Sequence, residues 1–101
     1  MCDYMYISVA EFRFSLPGNN SLKGKRQISR SLIQRLRQRL ALSVAEVGAI
    51  DLHRFLVIGV SAISKDLSYA EELVSAAIRF VEDSQMDVAL MDVQRTTFQG
   101  P

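Results

Sequence analysis

Between residues 12 and 45 the chain carries Arg13, Lys23, Lys25, Arg26, Arg30, Arg35, Arg37 and Arg39, and not one Asp or Glu. All 11 acids lie elsewhere beside only four bases, so a formal net charge of +1 conceals a divided molecule. Like charges at helical spacing repel, and a surface of one sign draws in ions of the other. The chemistry these residues can do is recognition of a polyanion, with ammonium and guanidinium groups neutralising successive phosphates or carboxylates.

Groups able to make or break bonds are sparse. His53 is the single histidine and Cys2 the single cysteine. One histidine without a nearby cysteine does not assemble a zinc site, and one cysteine closes no intramolecular disulfide. Asp51 and His53 could form an acid–base pair, but the pattern fixes no nucleophile beside them. His53 therefore reads as a solvent-facing turn residue and Cys2 as a bystander thiol. Gly18, Gly24 and Lys25 lack the spacing of a nucleotide-binding phosphate loop, although the turn before Ser21 would tolerate a phosphate at a helix start. No catalytic residue, metal or cofactor is expected.

Six elements must position these side chains. Tyr4 to Leu16 reads as a strand, with Tyr6, Ala10, Phe12, Phe14 and Leu16 on one parity. The turn formers Pro17-Gly18-Asn19-Asn20 end it, and Asn20 or Ser21 caps a helix running to about Leu40. Ile28, Leu32, Leu36 and Leu40 give that helix its apolar stripe. Leu42 to Val47 and Phe55 to Ile63 are strands, the latter apolar on both parities as in a central strand. Ser68 and Glu71 have capping-box spacing and open a second helix to about Asp83, and Asp87 to Phe98 is a last strand. Glu46 shares parity with Leu42 and Val44, which points it toward the helices, where Arg39 or another base at a helix end would pair with it.

The order βαββαβ predicts an α+β, ferredoxin-like sandwich: a four-stranded antiparallel sheet with two helices on one face. Residues 1–98 make a single domain, and residues 99–101 read as a disordered tail or a tag remnant. The other sheet face would expose Met5, Ile7 and Val9, so burial in a homodimer is expected there. The longest apolar run, Phe55 to Val60, is far below the roughly 20 residues of a membrane span. With no secretory signal visible, a soluble cytoplasmic protein is expected.

Three stretches carry a resemblance: Leu16-Pro17-Gly18 with Ser21-Leu22-Lys23-Gly24-Lys25-Arg26; Leu32 to Leu40 with its Arg-Leu-Arg-Gln-Arg run; and Ser43 to Val47 leading to Asp51-Leu52. From about Ile7 to Val93 the chain resembles the YlxP-like family of small bacterial proteins, a domain of unknown function numbered 503. The resemblance implies a ferredoxin-like fold. It also implies gene neighbours among transcription, translation and ribosome-maturation factors, hence a link to RNA. The chain departs from the family at Ile50-Asp51-Leu52-His53-Arg54, where relatives commonly carry Gln-Asp-x-Trp-Gln.

On a wheel of about 100° per residue, Lys23, Arg26, Arg30 and Arg37 fall within roughly 60° of one another, along about 20 Å of helix. Arg35 lies on the opposite border of the apolar arc. Lys25 and Arg39 fall inside that arc, near the helix ends, where they are expected to snorkel into water. The expected nucleic-acid-binding residues are Lys23, Lys25, Arg26, Arg30, Arg35 and Arg37, in a non-catalytic dimer that binds structured RNA or a ribosomal particle. The alternatives are an assembly module that docks an acidic partner, or a small-molecule-binding dimer that uses the open sheet. Two users of this fold fit poorly. An acylphosphatase needs a Gly-rich, Arg-containing phosphate loop that the first turn lacks. An RNA-recognition motif needs aromatics on the open face, where Phe12 and Phe14 have the wrong parity.

Overall fold

The computed structural model describes residues 4–84, 86 and 88–101. Cys2 and Asp87, the expected start of the last strand, lie outside them. The elements are β1 (Tyr6–Ser15), α1 (Leu22–Arg39), β2 (Ser43–Gly48), β3 (Phe55–Ser64), α2 (Leu67–Glu82) and β4 (Ala89–Gln99). All neighbouring strands are antiparallel in the order β2-β3-β1-β4, and both helices cover one face: the ferredoxin-like arrangement.

Strand parity sets the core. Ala10, Phe12 and Phe14 of β1 lie beside Val60, Ile58 and Leu56 of β3, and all six are buried. Leu32 and Leu36 of α1, and Ala70, Val74 and Ala77 of α2, close over them. Burying each large aliphatic or aromatic side chain contributes about 1.5–3 kcal/mol. Ser8 shares this parity and is buried as well, with its hydroxyl 3.0 Å from Thr97 Oγ1.

Two local expectations change. α2 opens two residues earlier than the Ser68–Glu71 pattern implies. The cap is Asp66, whose Oδ1 accepts from Ser68 N at 2.9 Å and Tyr69 N at 3.3 Å. Glu71 is thereby released from capping, and its Oε2 instead lies 3.1 Å from Thr97 Oγ1 on β4. At the other end of the chain, Gln99 is the last residue of β4 and Gly100 N donates to Met5 O at 2.6 Å, so these residues pair with β1 rather than trailing as a tail.

The start of α1 is held by a small network. Ser21 Oγ accepts from Gly24 N at 3.0 Å, and Asn19 Nδ2 donates to Ser21 O at 2.9 Å and to His53 O at 2.5 Å. Gly24 has a steric reason: a Cβ there would fall on Asn19 Oδ1. Gly24→Ala is therefore expected to destabilise by about 1 kcal/mol, although alanine favours a helix over glycine by about 0.8–1.0 kcal/mol. Removing the obstacle with Asn19→Ala should restore the ordinary sign, so that Gly24→Ala stabilises in that background. Urea melts of the four proteins in the cycle measure this coupling, and additive effects would show that Asn19 does not set the glycine requirement.

Candidate polyanion-binding surface

α1 lies over the β2–β3 side of the sheet, turning Leu32, Leu36, Ser29 and Lys25 inward. Ile33 and Leu40 are partly buried on the flank nearer β2, and Ile28 is partly buried on the other. Lys23, Arg26, Arg30 and Arg37 are exposed and follow the flank beside β2. The sequence pattern thus places these four correctly as neighbours on one side of the helix. Arg30, Gln34 and Arg37 also wall a groove of about 640 Å³ whose other side is Ala45 and Glu46 of β2, the edge strand. Arg37 Nη2 donates to Val44 O at 2.6 Å, which occupies one carbonyl of that edge and fixes the guanidinium in place. An open strand edge is a template for pairing, and a cation held along it discourages such pairing.

Arg35 is exposed on the opposite side of α1, where it lines a groove toward α2 with Arg39, Phe80 and Asp83. It does not join the band of four. Arg39 does reach the surface, and its guanidinium carbon sits 5.7 Å from the centre of the Phe80 ring.

Lys25 departs from expectation. Instead of snorkelling to water it is 2% exposed, and its three N–H groups point at the carbonyls of Ala49, Ile50 (3.3 Å) and Leu52 (3.0 Å). Glu46 Oε2 lies 3.1 Å from Nζ but outside hydrogen-bond geometry, so this contact is one of charge. Ser29 Oγ donates to Glu46 Oε1 at 3.3 Å. The parity of Glu46 was informative, for it does face a helix. Its partner is Lys25 and not Arg39, because β2 runs back along α1 and carries Glu46 toward the first half of the helix. Lys25 thus holds the β2–β3 turn, including Ala49 at a left-handed φ of 54°, and is not presented to a ligand.

Among the described residues the ion pairs are Arg13–Glu11, Lys25–Glu46 and Arg79–Glu72. None involves Lys23, Arg26, Arg30, Arg35 or Arg37. Among the described residues, the charge of these exposed cations of α1 is therefore not neutralised by an ion pair. Lys23 also stands in the first turn of α1, which contains no acid. A cation at a helix N-terminus opposes the macrodipole at a cost of about 0.3–1 kcal/mol.

The fold and the charged flank together can be set beside other proteins. Residues 7–95 match the profile of a family described as "Protein of unknown function (DUF503)". The chain belongs to this family. No curated protein matches this DUF503 chain. Among solved structures it is similar to the de novo designed protein Foldit4, with a TM-score of 0.54 and 12% identity over 95% of this chain and 99% of that one. It is also similar to protein SO0527 from Shewanella oneidensis, with a TM-score of 0.50 and 16% identity over 98% and 93% of the two chains. At these identities the likeness concerns the fold, which hosts many functions.

Proposed function

We propose that this protein is a non-catalytic, YlxP-like module that binds structured RNA, free or in a ribosomal particle, through the exposed flank of α1. One observation carries the reading: Lys23, Arg26, Arg30 and Arg37 line one side of a helix with no acid on it and no ion-pair partner among the described residues. Solvated helix faces ordinarily mix charges of both signs, which lowers self-repulsion. Retaining only cations, one of them against the dipole, costs stability and is useful only toward an anion. The band spans about 20 Å of helix, the length of several nucleotide phosphates. Without aromatic side chains on it, such a surface reads phosphate position and groove shape, not base identity. An RNA ligand of this kind would put the protein in the cytoplasm.

The test is fluorescence anisotropy of a labelled ribosomal RNA hairpin fragment titrated with the protein across salt. With three to four phosphates neutralised, log K is expected to fall against log salt with a slope of about −3 to −4. Between about 50 and 200 mM salt that slope amounts to roughly a 100-fold loss of affinity. Absence of binding at about 50 mM salt would overturn the reading.

A further inference from the structure

We propose that the open face of the sheet is covered by a second copy of this chain, in an isologous dimer that brings Glu11 of each protomer to the partner's Arg13. The face not covered by the helices is built from the odd-numbered residues of β1 and their register neighbours. Ile7, Ile63 and Phe98 form one row, and Arg13, Val57 and Asp92 another, with Val47 and Met91 set beside them at irregularities in β2 and β4. Ile63, Val47, Met91, Phe55 and Phe98 are each more than two-fifths exposed. A run of apolar side chains on one sheet face is a liability unless something covers it.

Three observations select a second copy as the cover. First, the charges of the face are self-complementary: Arg13 and Glu11 stand two residues apart on one strand, their side chains 2.8 Å from each other and both solvent-exposed, with Asp92 in register with Arg13. A surface with cation and anion side by side can satisfy an identical surface across a two-fold axis, whereas its two carboxylates repel a nucleic acid. Second, the face is large enough. Two central strands of 10 residues in a four-stranded sheet give on the order of 600 Å² per copy at ~3.3 Å per residue and ~4.8 Å per strand. Burial on two copies then exceeds the ~1,000 Å² a specific interface needs. Third, the face is shallowly concave beside Gly59, where a Cβ would come within 3.1 Å of Val47 Cγ1, so Val47 stands as a ridge beside a hollow of about 550 Å³. Ridge and hollow on one patch suit sheet-on-sheet packing about 10 Å apart. α1 is on the other side of the sheet, so this assembly is independent of the RNA reading.

Sedimentation equilibrium of the full chain tests the proposal. The wild type is expected at twice the 11.3 kDa chain mass. Glu11→Arg sets two guanidinium groups against each other across the two-fold axis, and Arg13→Glu sets two carboxylates together, so each variant alone should dissociate with at least a 10-fold weaker constant. Mixed in equal amounts, the two variants restore opposite charges at the contact and should form a one-to-one dimer. Ile63→Lys should also weaken the dimer, with circular dichroism showing the fold retained. A wild-type monomer up to about 1 mM would overturn the proposal. So would a dimer indifferent to all three substitutions, or charge variants that stay monomeric when mixed.

Discussion

Replacing Lys25 by methionine is expected to lower the stability of the domain by about 3 kcal/mol or more, the largest effect of any single substitution on the α1–β2 contact. Methionine keeps the length of the stem but removes the charge. It leaves the carbonyl of Ile50 without its donor, removes one of the two donors to the carbonyls of Ala49 and Leu52, and leaves the Glu46 carboxylate without its counter-ion. Removing one partner of a buried pair costs about 3–5 kcal/mol, because the other charge stays desolvated. The Ile50 carbonyl, where it cannot reach water, adds about 1–3 kcal/mol, while those of Ala49 and Leu52 keep the N–H groups of Leu52 and Phe55. Against a total of about 5–15 kcal/mol this is a large fraction, and the melting temperature should fall by at least 12 °C at roughly 4–8 °C per kcal/mol. The second substitution Glu46→Leu should recover part of the loss by removing the stranded carboxylate, while the Ile50 carbonyl remains unpaired. Calorimetry of Lys25→Met, Glu46→Leu and the double variant measures both parts. A fall of less than about 4 °C in the single variant would mean that water replaces the ammonium at no great cost.

Lys25 also shows where sequence reasoning reached its limit. Helical spacing put it inside the apolar arc, and strand parity put Glu46 on the helix-facing side. Each placement was right, yet neither period says how far along the helix the strand has travelled when it passes. That offset depends on the length of the turn between Arg39 and Ser43 and on the antiparallel return of β2. A lysine near the end of a long helix has two outlets for its charge, water or a nearby set of carbonyls. The choice was made by the 49–52 turn, whose backbone oxygens converge on Lys25 Nζ with Ala49 in a left-handed conformation.

The fold was more legible than the site because its signals are local and redundant. The period-two pattern of Phe12 and Phe14 and the apolar β3 place β1 and β3 centrally, and four-residue spacing gives α1 its buried face. Capping is weaker information. Asp66, Ser68 and Glu71 all have cap chemistry, and the helix starts where one carboxylate reaches two backbone N–H groups at once. The exposed cations were legible because the helix wheel orders them without tertiary knowledge. Their separation into a β2-side band and an α2-side pair, Arg35 and Arg39, required knowing which flank each neighbour occupies.

The double reversal Arg26→Glu/Arg30→Glu is expected to weaken binding of a ribosomal RNA hairpin by at least 100-fold near 100 mM salt while leaving the fold intact. Both residues are exposed, and neither pairs with a carboxylate among the described residues, so no internal contact is lost. Glutamate at position 26 lies in the second turn of α1, three residues from Lys23, where an opposite-charge pair contributes about 0.2–0.5 kcal/mol in place of a like-charge one. The melting temperature should hold or rise by a few degrees. Binding moves the other way, because two phosphate contacts vanish and two carboxylates face the polyanion in their place. Each lost phosphate contact lowers the magnitude of the salt slope by about one, so residual binding should show a slope of about −1 to −2 instead of −3 to −4. A variant that is more stable than its parent and no longer binds RNA would identify a surface held against the preference of its own helix. Affinity unchanged within about threefold would remove α1 as the contact, since electrostatic binding cannot survive the reversal of half its cations.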